Sequence, residues 1–159
     1  MKLKVLNTRQ TLSVVLISDR HKHLVSKHKW RVNSAGYVYT RFKNSEGVWV
    51  SLVLHRFLMG LEKGDPLHCD HRNRNKLDNR DENLRVCTHG ENMLNRKSQR
   101  GSQSKYKGVS LKGNKFQAVI RHKGQNKYLG LFGKEEDAAL AYNNAAKELH
   151  GDFAFLNAV

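Results

Sequence analysis

One short segment of the chain places a metal-binding side chain beside a proton-transferring one. It begins with His-Cys-Asp-His at 68–71, in which Asp70 directly precedes His71. A carboxylate such as that of Asp70 is an oxygen ligand for a hard divalent ion, and an imidazole such as that of His71 can act as a general base. Because neighbouring residues of a strand point to opposite sides, the pair can divide these tasks. Together they could activate a water and stabilise the charge that develops during phosphodiester hydrolysis.

The residues that follow this pair resemble the motif of the HNH nuclease family. Asn83 lies 12 residues after His71 (83 minus 71), and Asn92 lies 9 residues after Asn83 (92 minus 83). The resemblance implies a ββα-metal, or His-Me finger, site in which His71 is the general base and Asn83 positions the loop that carries it. Asp70 and Asn92 would hold one divalent metal, with Asn92 standing where the family has a final His. An Asp and Asn oxygen pair suits Mg²⁺ (or Mn²⁺) better than zinc.

Flanking residues resemble the phage and intron-encoded homing endonucleases of that family. These are LHRFLMG at 54–60 and LDNR at 77–80. The resemblance implies a homing-type HNH endonuclease that hydrolyses double-stranded DNA. His55 and Arg56 either contact phosphate or cap the site, and Asn79 either supports the site or is an ordinary turn former.

Four other residues near the motif have no role in this interpretation. His68 and His89 are expected to be bystanders, although His89 is close enough in sequence to Asn92 to replace it as a ligand. Cys69 and Cys87 are expected to be small, buried free thiols.

The segments that must position the motif are predicted to be strands. Leu12–Ile17, 37–42 and 48–53 are rich in β-branched and aromatic residues, and 44–47 (Asn-Ser-Glu-Gly) is typical of a hairpin turn. An antiparallel meander is therefore expected before the motif. The two tryptophans, Trp30 and Trp49, are expected to be structural.

The rest of the chain is predicted to form a separate small domain. Residues 96–105 contain four basic and no acidic residues, which favours a basic linker. Three short strands, 108–111, 115–121 and 126–130, then precede a helix over 135–149. The predicted class is α+β, with an HNH endonuclease domain over 1–95 and a three-stranded antiparallel sheet backed by one helix over 106–159.

This last part resembles the plant Apetala-two, or ethylene-response-factor, DNA-binding domain. The match rests on Tyr106–Val109, Phe116–Arg121 and Tyr128–Phe132, together with the Ala-rich helix. The resemblance implies that the sheet lies in the major groove of DNA while the helix backs it. Ser110, Val119 and Tyr128 depart from the family pattern, so phosphate contacts are expected without the plant domain's base preference. Six residues would face DNA by this resemblance: Lys107, Ser110, Lys112, Arg121, Asn126 and Tyr128.

Charge composition favours a polyanionic partner. The 159 residues include 29 Lys and Arg against 14 Asp and Glu, a formal net charge of +15. Counterion release then favours nucleic acid as the partner. Two alternatives to a nuclease remain open at this point: a non-enzymatic DNA-binding regulator that keeps the motif as a scaffold, and an RNA-binding protein. Asp70, His71, Asn83 and Asn92 occur together, which favours the nuclease.

The location of the protein is predicted from the absence of apolar segments. No stretch approaches the roughly 18 apolar residues of a membrane span, and the first residues lack the features of a secretory signal. We therefore expect an intracellular protein without a membrane partner, in the cytoplasm of the bacterial host if a phage encodes it. The oligomeric state is left open, with a monomer favoured.

Overall fold

The computed structural model describes residues 1–98 and 102–159. The chain forms two compact units, Met1–His89 and Gly90–Val159. Both units combine strands with helices, which confirms the predicted α+β class. The predicted linker, 96–105, includes residues 99–101, which lie outside the described residues. The proposed domain boundaries stay predictions.

The first unit contains two sheets and two short helices. A six-stranded sheet has the strand order β5-β4-β3-β1-β2-β7, and β6 and β8 form a separate two-stranded sheet. In chain order the elements are β1 (Lys2–Asn7), β2 (Leu12–Ile17), α1 (Lys22–Ser26), β3 (Arg31–Val32), β4 (Val38–Lys43), β5 (Trp49–Val53), α2 (Leu54–Leu58), β6 (His68–His71), β7 (Asp78–Asn79) and β8 (Leu84–Cys87).

The large sheet is mixed rather than a simple meander. The pairs β1 with β2, β3 with β4, and β4 with β5 are antiparallel, and the predicted hairpin at 44–47 is confirmed between β4 and β5. However, β1 pairs with β3 in parallel, and β2 pairs with β7 in parallel. Parallel neighbours require a crossover connection, and the connection from β1 to β3 contains β2 and α1. The predicted meander did not include these two pairings.

The first core lies on one face of this sheet. Val15 and Ile17 of β2 are fully buried, as is Leu54 of α2. Trp30 is buried as well, and its indole N–H donates a 2.8 Å hydrogen bond to the Val25 carbonyl, so its predicted structural role is confirmed. Trp49 is 59% exposed on the edge strand β5, so the prediction that it is structural was wrong.

The second unit is built around a three-stranded antiparallel sheet of order β11-β10-β9. Helix α4 packs against it through Ala138, Ala139, Tyr142 and Ala146, which are all buried. Small alanine side chains let a helix approach a sheet closely. The elements are α3 (His89–Leu94), which continues from the first unit, then β9 (Val109–Lys112), β10 (Lys115–His122), β11 (Gln125–Phe132) and α4 (Glu135–His150).

Gly108 permits a close contact between the start of β9 and α4. Its φ is +76°, and a Cβ atom there would lie 2.1 Å from a ring carbon of Tyr142 and 2.6 Å from the Val119 carbonyl oxygen. Gly113 has a similar φ of +63° but has no atom within 4 Å of its Cβ position. The two glycines therefore share a backbone conformation and differ in packing.

Gly108→Ala should destabilise the second unit much more than Gly113→Ala. Gly113→Ala should lower the free energy of unfolding by only roughly 1–2 kcal/mol, because its sole cost is an alanine in the left-handed conformation. Gly108→Ala adds a clash with a buried ring and a carbonyl group that cannot move freely. Hydrogen exchange of the α4 amides measures the free energy of opening in each variant. Equal losses in the two variants would contradict the packing role of Gly108.

Candidate active site

The predicted site lies on a β-hairpin that is followed by a helix. Antiparallel pairing of β6 with β8 sets Asp70 opposite Arg85 and His71 opposite Leu84. Helix α3 begins two residues after β8 ends. The element order is thus strand, loop, strand, helix, which is the ββα arrangement that the resemblance implies.

Asp70 is buried and paired with a buried arginine. Arg85 donates from Nε and Nη2 to the same oxygen of Asp70, Oδ2, over 2.9 Å and 2.6 Å. The two side chains meet because cross-strand partners project to the same face of a hairpin. Burying a carboxylate is costly without a charged partner, so the Arg85 guanidinium compensates the burial of Asp70 and holds its side chain in place.

The loop between the two strands is held by the side chain of Asn83. Its Oδ1 accepts a 2.9 Å hydrogen bond from the Asn73 backbone N–H, and its Nδ2 donates a 2.6 Å hydrogen bond to the Asp78 carbonyl. The Asn83 carbonyl also accepts from the Arg72 N–H over 2.8 Å. One buried residue therefore fixes three points of the loop that follows His71.

Charged groups stabilise the second half of this loop. Arg80 donates from two nitrogens to the two carboxylate oxygens of Asp78, each over 2.8 Å, and Asn73 donates to the same carboxylate. The Arg80 guanidinium holds the pKa of Asp78 below its ordinary value. Asp78 is thus a buried side chain that stabilises the loop through its bonds to Arg80 and Asn73.

His71 is enclosed by polar and aromatic side chains. Its Nε2 lies 3.3 Å from Oδ1 of the fully buried Asn79, and its ring centroid lies 4.9 Å from that of His55. Tyr37 stacks on His55 with a centroid distance of 5.2 Å, and its ring centroid lies 6.4 Å from that of His71. Burial lowers the pKa of His71, although the hydrogen bond to Asn79 opposes that shift. The imidazole is therefore neutral near pH 7.

His55 and Arg56 do different things despite being adjacent. Burial, followed by the neighbouring charge of His71 when protonated, lowers the pKa of His55 to about 3. Arg56 donates to the carbonyls of Leu67 and Glu62 over 2.8 Å and 2.6 Å, so its guanidinium supports the loop before β6. These contacts favour the capping alternative for Arg56.

Two residues near His71 are not indicated by the sequence. Tyr37 is far from the motif in sequence, and its local pattern indicates only a strand residue. Lys76 lies with Nζ 4.1 Å from the Tyr37 ring centroid and donates to the Ala35 carbonyl over 2.8 Å. No local pattern connects these residues, because only the fold brings them together.

The remaining predicted residues of this region have varied positions. His68 and His89 are in edge-to-face contact with a centroid distance of 5.0 Å, and Cys69 and Cys87 are buried free thiols, as predicted.

Asn92 lies on α3 in the second unit, so its metal-ligand role stays a prediction. Within residues 1–98 and 102–159, no group of three or more His, Cys, Asp or Glu side chains forms a metal cluster. The expected ligand set, one carboxylate and one amide, would not form such a group.

Five of the six predicted DNA-facing residues share one face of the sheet in the second unit. Ser110 is paired with Gln117, and Lys112 with Lys115; on the other side of β10, Val119 is paired with Tyr128 and Arg121 with Asn126. Alternate residues of a strand and their cross-strand partners lie on one face, and α4 covers the other. The five residues on this uncovered face are all exposed: Ser110, Lys112, Arg121, Asn126 and Tyr128.

Lys107 differs from the other five predicted residues. It is half-buried, and its Nζ donates to the Leu94 carbonyl over 2.6 Å. Its backbone N–H and carbonyl both bond to the Asn157 side chain. These contacts give Lys107 a structural function, and its predicted contact with DNA stays untested.

Comparison with known proteins identifies the family. Residues 53–94 match the model of a family described as HNH endonuclease. An uncharacterized HNH endonuclease, L560, of Acanthamoeba polyphaga mimivirus is 31% identical over 141 residues, which cover 86% of this chain and 70% of that protein. The chain belongs to the HNH endonuclease family. No solved structure gives a significant match.

Family membership decides between the alternatives left open by the sequence. The HNH protein is an endonuclease that acts on DNA, so the non-enzymatic regulator and the RNA-binding protein are not supported. The matched residues contain the whole β6–β8 hairpin, in which Asp70, His71 and Asn83 lie. Among the described residues, no helix is long and apolar enough to span a membrane.

The buried His55 should make the stability of the first unit depend on pH. An unfolded histidine takes up a proton near pH 6.5, whereas folded His55 does so only near pH 3. As pH falls below about 6.5, the unfolded chain therefore binds more protons, and the free energy of unfolding decreases by up to about 1.4 kcal/mol per pH unit. His55→Phe should remove this contribution.

The measurement is the free energy of unfolding between pH 6.5 and 4.5, followed by tryptophan fluorescence. His23→Phe is the control, because His23 is exposed in α1. The pH curve of the His55 variant should be flatter than those of the wild type and the control. Three parallel curves would show that His55 is not buried in its neutral form.

Proposed function

We propose that the protein hydrolyses phosphodiester bonds of double-stranded DNA in a metal-dependent reaction, with His71 as the general base. The observation that carries this proposal is the contact between His71 Nε2 and Asn79 Oδ1. An amide oxygen only accepts, so Nε2 carries the proton and the lone pair that takes a proton from water lies on Nδ1. Asn79 is thus the residue that orients the base.

Burial supports the same role for His71. Because its pKa is lowered, the imidazole is unprotonated at neutral pH and is able to accept a proton. His55 and Tyr37 pack beside the ring and restrict its orientation. Asn83 fixes the loop that follows His71, which supports the positioning role proposed for it.

The donor chemistry of the site fits one hard divalent cation. Asp70 supplies an anionic oxygen that Arg85 keeps in place, and Asn92 would supply an amide oxygen from α3. Oxygen ligands of this kind are preferred by Mg²⁺ or Mn²⁺, which complete their coordination with water and substrate phosphate. When bound, the ion would stabilise negative charge on the phosphate and on the leaving oxygen.

His71→Ala should abolish cleavage while leaving DNA affinity nearly unchanged. The test is conversion of supercoiled plasmid to nicked or linear forms in Mg²⁺, in Mn²⁺ and in EDTA. Loss of a general base costs about 10²–10⁴-fold in rate. His23→Ala, at an exposed position of α1, should cleave like the wild type. Undiminished cleavage by the His71 variant, or cleavage in EDTA, would refute the proposed mechanism.

We further propose that the second unit is an Apetala-two-like DNA-binding domain. Ser110, Lys112, Arg121, Asn126 and Tyr128 share one exposed face, as such a domain requires. A twisted β-sheet of this size can enter the major groove.

We also propose that the protein is a homing-type HNH endonuclease that acts as a monomer on duplex DNA. Its viral relative supports an origin in a phage or another virus.

Removing two cations from this face should weaken DNA binding and its salt dependence. Lys112→Gln with Arg121→Gln should reduce the slope of log affinity against log salt by about 1.8, if each residue contacts one phosphate. The control is Lys134→Gln with Lys147→Gln, which removes the same charge from exposed positions outside the sheet. Affinity measured by fluorescence anisotropy in EDTA separates binding from cleavage. Equal slopes for both double variants would exclude this face as the DNA reader.

A further inference from the structure

The outer face of the large sheet in the first unit carries a cluster of unpaired cations. Strands β1 to β5 contain five basic residues and no acidic residue. Arg31 is paired with Tyr39 and with Leu6, and Lys43 is paired with Trp49, so the pairing places them on one face. The five basic residues, which all point away from the core, are Lys2, Lys4, Arg31, Arg41 and Lys43.

These cations have no carboxylate partners among the described residues. None of the five forms an ion pair there, whereas Arg20, Arg80 and Arg85 of the same unit are all bonded to carboxylates. Five like charges on one surface repel one another, and strands β1 to β5 contain no carboxylate to offset that repulsion. An external polyanion would reduce it and release counterions.

The face also has an aromatic and apolar component. Two cations contact the Trp49 ring, with Arg41 Cζ and Lys43 Nζ each 5.7 Å from its ring centroid. Beside it is an open groove of about 430 Å³, lined by Arg31, Tyr39 and Trp49 among others. Exposed aromatic rings next to arginine and lysine are typical of surfaces that contact sugars and bases of nucleic acids.

We propose that this face, defined by Lys2, Lys4, Arg31, Arg41, Lys43 and Trp49, is a second DNA-binding surface that contacts the phosphate backbone of the duplex. The proposal rests on DNA being the substrate but does not depend on the catalytic roles of His71 or Asp70. The face lies in the nuclease unit itself, so it would give that unit affinity for DNA independent of the second unit's sheet. Contacts to phosphate carry no base information, so this surface contributes affinity rather than sequence preference.

The test compares two triple variants of the full chain in EDTA, where no cleavage occurs. Arg31→Gln, Arg41→Gln and Lys43→Gln remove three cations from the face. Lys22→Gln, Lys27→Gln and Lys63→Gln remove the same charge from exposed positions outside the strands. The face variant should lose about 2.7 from the salt slope of duplex affinity, at about 0.9 per phosphate, and the control should keep nearly the wild-type slope. Equal slopes in the two variants would overturn the proposal.

A second measurement uses the otherwise unchanged chain. Because Trp30 is buried and Trp49 is exposed, duplex DNA should quench only the Trp49 part of the tryptophan fluorescence. Trp49→Phe should remove the quenching while the chain still binds DNA through its other contacts. Quenching that survives in Trp49→Phe, or that occurs with a single strand but not with duplex, would refute binding of duplex DNA to this face. Loss of cleavage in His71→Ala leaves both measurements unaffected.

Discussion

The hairpin of β6 and β8, which carries the proposed active site, depends on the hydrogen bonds of one buried amide, that of Asn83. The loop after His71 has few apolar residues, so burial of hydrophobic surface cannot fix its conformation. Instead Asn83 accepts from the Asn73 N–H and donates to the Asp78 carbonyl, which closes the loop at both ends. A buried amide left without these partners would cost about 1–3 kcal/mol for each lost bond, so the loop and its anchor stabilise each other. The positions of Asn79 and His71 follow from this closure.

Burial determines the chemistry of the two histidines beside that loop. An imidazolium ion inside the protein would lose its hydration, so both rings are favoured in their neutral form. This is what a general base requires at neutral pH, and for His71 it results from burial, which outweighs the opposing hydrogen bond to Asn79. Stability at acidic pH is reduced as a result. The same enclosure thus favours the proposed general-base role of His71 and limits the pH range over which the fold is stable.

The charges of the chain fall into two groups with different functions. Within the nuclease unit, Arg80 and Arg85 are bonded to Asp78 and Asp70, where each compensates a buried carboxylate. The cations on the outer face of the large sheet have no such partners among the described residues and are exposed. A strand places alternate residues on opposite faces, so a single pattern of alternating basic and apolar residues builds a core and a basic surface together. Much of the excess positive charge is then available to a polyanion.

The spacing and types of the residues by themselves predict much of this protein. The order Asp70, His71, Asn83 indicates the hairpin and its family, because a ligand, a base and a loop anchor must recur at fixed positions along the chain. In the second unit, short segments typical of strands indicate the sheet, and apolar residues that recur every three to four positions indicate the helix. Tertiary structure alone decides which side chains meet across the chain: Tyr37 beside His55, Arg85 on Asp70, and Asn79 on His71. It also decides the parallel pairings of β1 with β3 and β2 with β7. The side-chain contacts depend on long-range packing, and the parallel pairings depend on which strands a crossover brings together. No local sequence pattern encodes these long-range relations.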